Sequence, residues 1–183
     1  MLVAAGLAMA TGSSFEKVFS AMQRLAPVRG RLERAVISRA GAPVYVDYAH
    51  TADALEAAIA ALRPHVSNRL ITVFGAGGDR DQGKRPDMGS VAARLSDVVI
   101  VTDDNPRGED PAKIRADVLA GAPGSREIGG RREAIAEAIR MAGEGDIILV
   151  AGKGHETGQI IGSGASERIL PFDDAIVARE CAS

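Results

Sequence analysis

The chain has 183 residues, 46% of them hydrophobic and 25% charged, which is room for one substantial core, or a domain with an appendage, in a globular protein. A formal net charge of -2 gives no whole-chain electrostatic case for nucleic acid or an anionic membrane surface and leaves small molecules as the expected ligands. The single cysteine, Cys181, has no partner for an internal disulfide, which fits a reducing, cytoplasmic setting.

The apolar opening Met1–Ala10 carries no basic residues ahead of it and is too short to cross a bilayer, so it reads as a buried helix and not as a signal or a span. Two short helices are expected over residues 1–25, broken at Thr11-Gly12-Ser13-Ser14, with Ser13 capping the second and Glu16 completing a capping box. Neither has enough chain around it to bury an apolar face, which suggests the tail of a preceding domain. After Pro27, strands are expected at 34–39 and 43–47 around the turn Ala40-Gly41-Ala42. There follow helix 51–63, strand 69–74, helix 87–95, strand 97–102, helix 111–120, a short segment near 126–128, helix 131–142 and strand 146–151. Ile160-Ile161 and Arg168-Ile169-Leu170 flank Gly162-Ser163-Gly164 as a terminal hairpin, and helix 172–181 closes the chain. Alternating strands and helices predict an α/β fold, a mostly parallel, doubly wound (Rossmann-like) sheet from about residue 29, with an N-terminal helical remnant of a preceding domain.

Four strands lead into polar loops, and in an open α/β sheet ligands bind beyond the carboxyl ends of the strands. The first loop, Asp47-Tyr48-Ala49-His50, pairs a carboxylate with an imidazole; alternatively, Asp47 or Thr51 caps the next helix and His50 merely flanks it. The second, Gly75 to Pro86, fits the G-x-x-x-x-G-K spacing from Gly78 to Lys84, but Arg85 stands where a phosphate loop needs Ser or Thr. Its glycines read better as backbone bent close to a ligand, with Arg80, Lys84 and Arg85 offering charge to phosphate or carboxylate. The third, Thr102-Asp103-Asp104-Asn105-Pro106-Arg107, combines an acid suited to an ammonium group with a guanidinium fork suited to a carboxylate, although Asp-Asn-Pro is also turn chemistry. The fourth, Gly152-Lys153-Gly154-His155-Glu156, begins like a zinc motif, but Gln159 occupies the second histidine position. In that loop Lys153 is either a ligand contact or a solvated surface charge, and His155 either a contact or a structural histidine.

The ordered set Gly30-Arg31-Leu32-Glu33, Asp47-Tyr48-Ala49-His50, Gly77-Gly78-Asp79-Arg80-Asp81, Gly83-Lys84-Arg85-Pro86, Asp104-Asn105-Pro106-Arg107 and Gly152-Lys153-Gly154-His155-Glu156 strongly resembles the C-terminal part of the Mur ligases, and within them the diaminopimelate-adding branch. The resemblance implies that residues 1–28 end the family's central ATP-binding domain and 29–183 form its third domain. It implies meso-diaminopimelate binding by Arg80, Asp104, Asn105, Pro106, Arg107, Gly152 and Glu156, and nucleotide contacts from Arg31, Asp47 and, more loosely, His50. Lys84, Lys153 and His155 are further candidate ligand contacts. Such ligases transfer the γ-phosphate of ATP to the carboxylate of a UDP-linked muramoyl dipeptide, and the amine of the amino acid then attacks the acyl phosphate. The phosphate loop, the Mg2+ ligands and the UDP-binding domain of that machinery have no counterpart in this sequence, so no catalytic or metal-binding residue is expected in this chain and the polypeptide alone is expected to be inert. Two other readings are a free-standing amino-acid-binding module and a phosphate-loop nucleotide hydrolase. Neither nucleic acid nor membrane is an expected partner.

Overall fold

The computed structural model describes residues 2–25 and 27–183. Met1 and Ala26, both inside the segment assigned to the helical remnant, lie outside the described residues. Helices α1 (Leu2–Ala10) and α2 (Phe15–Met22) form as expected, but the cap of α2 is Ser14, whose hydroxyl accepts from the Lys17 amide. Helical geometry sets this shift: the capped amide lies three residues beyond the cap, which puts Glu16 one position too early for a capping box. The expectation of a buried first helix also fails. Val3, Leu7, Phe15 and Phe19 are 78%, 64%, 54% and 42% exposed, because the two helices pack chiefly on each other and Phe15 stacks on Phe19 one turn along.

Beyond them, β1 (Glu33–Ile37) pairs antiparallel with β2 (Pro43–Asp47). Strands β3 (Leu70–Phe74), β4 (Val98–Val101), β5 (Arg126–Glu127) and β6 (Ile147–Ala151) complete a six-stranded sheet in the order β1-β2-β6-β3-β4-β5, parallel from β2 onward. Strand β6 is an unbroken apolar run because both of its faces are covered. Ile148 and Val150 join the core beneath α6 (Arg131–Met141) and α7 (Asp174–Cys181), whereas Ile147, Leu149 and Ala151 join the core beneath α3 (Ala52–Leu62), α4 (Lys84–Leu95) and α5 (Pro111–Leu119). The sheet is therefore doubly wound, as the alternation of elements required. Helix α4 starts three residues earlier than expected, because Pro86 falls in its first turn, where no intrahelical amide partner is needed. The hairpin β7 (Gly158–Ile161) and β8 (Arg168–Pro171) stands apart as a separate two-stranded sheet. No helix among the described residues is long and apolar enough to cross a membrane.

Candidate functional site

The four polar loops leave β2, β3, β4 and β6 at the same edge of the sheet, as parallel pairing dictates, and they close on one another through their glycines. A Cβ on Gly75 would sit 2.2 Å from the Thr102 carbonyl oxygen, and one on Gly78 would sit 1.9 Å from that of Pro106. Gly75 and Gly78 thus let the second loop press against the third, while Gly75 and Gly77 also line the cavity between the loops. The same contact removes the phosphate-loop reading: Gly78 abuts protein backbone, and its amide donates to the Asn105 carbonyl at 2.9 Å.

Between the loops lies a cavity of about 240 Å³, lined by Tyr48, His50, Gly75, Gly77, Arg80, Lys84, Asp104, Asn105, Arg107, Gly152 and Glu156. Eight of the sequence-derived candidates line it: His50, Arg80, Lys84, Asp104, Asn105, Arg107, Gly152 and Glu156. Pro106 is buried behind it and shapes the turn. Cations enter from the second and third loops (Arg80, Lys84, Arg107) and carboxylates from the third and fourth (Asp104, Glu156). Lys84 is steadied by donating to the His50 carbonyl at 2.7 Å.

Arg107 holds a left-handed backbone, φ +50°, a conformation that costs a non-glycine residue free energy unless neighbours enforce it. The hairpin enforces it: the Arg107 amide donates to the Ile160 carbonyl at 3.1 Å and the Gly162 amide donates to the Arg107 carbonyl at 2.7 Å. Its guanidinium spans the mouth of the second loop, with Nη1 donating to the Gly78 carbonyl at 2.9 Å. Asn105 lines the cavity, but its side chain is engaged within the protein. Oδ1 accepts from Lys153 Nζ and the Ile160 amide, both at 2.9 Å, while Nδ2 donates to Glu156 Oε2 at 3.0 Å. Asn105 therefore orients Glu156 and fastens the hairpin to the site.

Lys153 is neither of the things expected of it. Its side chain is 0% exposed, it does not line the cavity, and its ammonium bridges Asn105 Oδ1 and, at 3.2 Å, Glu156 Oε2. Arg85 likewise is no charge offered to a ligand. It is fully buried, pairing with Glu109 and Asp117 at 2.9 Å each and reaching the Gly77 carbonyl, and this holds the Glu109 carboxyl below the usual range against its desolvation.

The nucleotide-side candidates form a second, shallower group. Asp47 caps no helix: Oδ2 accepts from the Leu32 amide at 2.7 Å and Oδ1 from the Ala49 amide at 2.8 Å, and Thr51 is the cap of α3. Arg31 is exposed, its guanidinium 4.8 Å over the Tyr48 ring, a cation–π contact. His50 and His155 flank the same ring, at 4.6 and 5.2 Å between centroids. Among the described residues, no group of three or more His, Cys, Asp or Glu side chains is placed to hold a metal ion.

Sequence reasoning missed three residues. Gln159 donates from Nε2 to the Asp104 carbonyl at 2.6 Å, and Arg131 and Asp174, both fully buried, pair behind Asp104. No local pattern signals partners 43 residues apart. Asp104 itself is 7% exposed; burial pushes its carboxyl above the usual range, with Arg131 and Lys153 as the opposing charges.

The chain matches the family described as Mur ligase, glutamate ligase domain, over residues 30–154. It is 65% identical over 179 residues to the UDP-N-acetylmuramoyl-L-alanyl-D-glutamate–2,6-diaminopimelate ligase of Zymomonas mobilis, an alignment covering 98% of this chain and 37% of the relative. The ligase of the same name from Caulobacter vibrioides is 55% identical over 95% of this chain and 35% of the relative. A solved structure of a ligase of that name superposes with a TM-score of 0.76 at 41% identity, over 99% of this chain and 37% of its own. A UDP-N-acetylmuramate–alanine ligase from Thermotoga maritima, at 18% identity and a TM-score of 0.62 over 96% of this chain and 34% of its own, shares the fold. The chain thus spans little more than a third of the relatives it matches.

Proposed function

We propose that this chain, which belongs to the Mur ligase family and carries its glutamate ligase domain, is the amino-acid-selecting part of an ATP-dependent ligase that adds meso-diaminopimelate to UDP-N-acetylmuramoyl-L-alanyl-D-glutamate for peptidoglycan synthesis in the cytoplasm. One observation carries the reading: a single cavity at the carboxyl edge of the sheet presents two carboxylates, Asp104 and Glu156, and three cations, Arg80, Lys84 and Arg107. Meso-diaminopimelate has an ammonium and a carboxylate at each end, and a site with both signs of charge can hold the head farther from the reacting amine. A ligand lacking the distal carboxylate leaves a guanidinium desolvated and unpaired, which is how a site built for a polar group rejects its absence.

In the complete ligase, ATP with Mg2+ supplies the activated phosphoryl group that turns the dipeptide carboxylate into an acyl donor. The part of this chain is to hold the incoming amino acid with its reacting amine free and its far end fixed. Arg31 over Tyr48, beside His50, gives a planar surface suited to part of the nucleotide, while Asp47 shapes the backbone beneath it. Residues 1–28 are read as the end of the family's ATP-binding domain, which gives the exposed apolar faces of α1 and α2 a neighbour.

Chemical-shift titration of the labelled 183-residue chain tests the reading. Meso-diaminopimelate should shift the amides of residues 104–107 and 152–156, and L-lysine should shift them far less; equal responses would refute the assignment. Sub-micromolar binding by this chain would favour a free-standing amino-acid-binding module instead. The chain alone should not turn over ATP with the muramoyl dipeptide and diaminopimelate, and turnover would overthrow the division of labour.

A further inference from the structure

Arg131 opens α6 and Asp174 opens α7, and the two form a bidentate pair with Nε–Oδ1 at 2.8 Å and Nη2–Oδ2 at 2.7 Å, both side chains 0% exposed. A fully desolvated ion pair is seldom more stabilising than an apolar pair of the same volume, so what else the guanidinium touches decides its role. Nη2 also donates to the carbonyl of Ala151, the residue before Gly152, at 2.9 Å. Nη1 donates to the carbonyl of Asp103 at 3.3 Å and lies 4.0 Å from Asp104 Oδ2. One buried cation thus joins the third loop to the fourth and stands behind the acid of the cavity.

We propose that Arg131, seated by Asp174, is a positioning residue for amine recognition: it clamps the loops at 102–107 and 151–156 together and supplies the fixed charge that keeps Asp104 a carboxylate facing the cavity. The proposal rests on the reading that Asp104 takes an ammonium group. Among the described residues Asp104 accepts no hydrogen bond at its carboxylate, so its ionisation depends on charge. Arg131 from α6 and Lys153 from the fourth loop favour the charged form, whereas burial, Asp174 from α7 and Glu156 oppose it. Arg80, Lys84 and Arg107 share the cavity, but Lys153 is committed to Asn105 and Glu156. The Arg131 guanidinium does not lose its proton, and Asp174 raises its pKa further despite desolvation. Gly152 completes the seat, since a Cβ there would fall 2.5 Å from Asp104 Oδ2.

The test is a carbon-13 carboxyl titration of the 183-residue chain, with Asp104→Asn assigning the resonance, combined with shift-monitored binding of meso-diaminopimelate. In Arg131→Met/Asp174→Leu, which removes the pair together, the Asp104 midpoint should rise by about one unit, the effect of losing an opposite charge at this range less the relief of losing Asp174. Arg131→Lys keeps the charge and should leave that midpoint near wild type, but it cannot reach both carbonyls while paired, so affinity should fall about tenfold. A purely structural pair would move neither the midpoint nor the pH dependence of binding. An unchanged midpoint in the double variant overturns the charge role, and wild-type affinity in Arg131→Lys overturns the clamp. If the double variant fails to fold, an Asp104 midpoint raised by a unit in Arg131→Lys, where the charge is retained, overturns the charge role. If the wild-type chain shows no diaminopimelate shift while Asp104 responds to Arg131 as expected, the substrate reading fails and the electrostatic role of Arg131 stands.

Discussion

Replacing Lys153 by methionine separates a ligand-binding lysine from a buried structural cation. The side chain is 0% exposed and makes two bonds, to Asn105 Oδ1 at 2.9 Å and to Glu156 Oε2 at 3.2 Å. The bond to buried Asn105 is charge-assisted and contributes about 1.5–3 kcal/mol. The ion pair with Glu156, whose side chain is 33% exposed, is discounted for solvent screening to about 0.5 kcal/mol. Methionine recovers part of the cost of burying an ammonium group, and it is close enough in volume to leave little cavity. The net loss should be about 2 kcal/mol, a fall in melting temperature of about 4–8 °C for a domain of this size. Urea melts of wild type, Lys153→Met, Glu156→Gln and the double variant, followed by circular dichroism, give the loss and the pairwise coupling. A Lys153→Met chain as stable as wild type that has lost diaminopimelate binding would refute the structural assignment and restore Lys153 as a direct contact.

Gly78→Ala should destabilise by about 1–3 kcal/mol, because its Cβ would lie 1.9 Å from a backbone oxygen that cannot move aside; unchanged urea melts would show that the second and third loops are not in contact. Arg107→Gly should relieve the left-handed backbone at φ +50° and keep thermal stability, while lowering diaminopimelate affinity at least about tenfold. Wild-type affinity in a shift titration would remove Arg107 from the site. Asp146 sits below the usual aspartate range: burial opposes this, but Arg69 and the amides of Gly143 and Arg69 outweigh it. Its stabilisation is therefore present above about pH 4 and lost as pH falls through its folded value. Asp146→Asn should cost stability at pH 7 and progressively less on acidification, and a gap between the two melts that is independent of pH would contradict this.

Much of the fold was legible because its signals are local. The apolar runs at 70–74, 98–101 and 147–151, the capping residue Thr51 and the turn residues at 162–164 each declare an element without reference to the rest of the chain. The exposed faces of α1 and α2 were legible only as a shortage of chain to bury them, since apolar periodicity shows which face prefers burial but not whether a neighbour is there to bury it. In the site, the loops at 102–107 and 151–156 stood out by polar density, and six ordered motifs tied them to one family. What their residues do within the loops was less legible. Lys153 was weighed as a ligand contact or a surface charge and is buried; Arg85 was read as facing a ligand and instead locks α4 to α5; Arg131 and Asp174 went unnoticed.

The sequence by itself determined the alternation of strands and helices, the position of each polar loop after a strand, and thereby the convergence of those loops on one edge of a parallel sheet. Tertiary structure decided which charges in the loops face the cavity and which are consumed inside the protein. The reason is physical: periodicity and capping depend on neighbours within a turn of helix or a few residues of strand, whereas the state of a charge depends on what lies within about 4 Å of it. In this chain those partners come from loops separated by tens of residues and brought together by glycines at 75, 78 and 152.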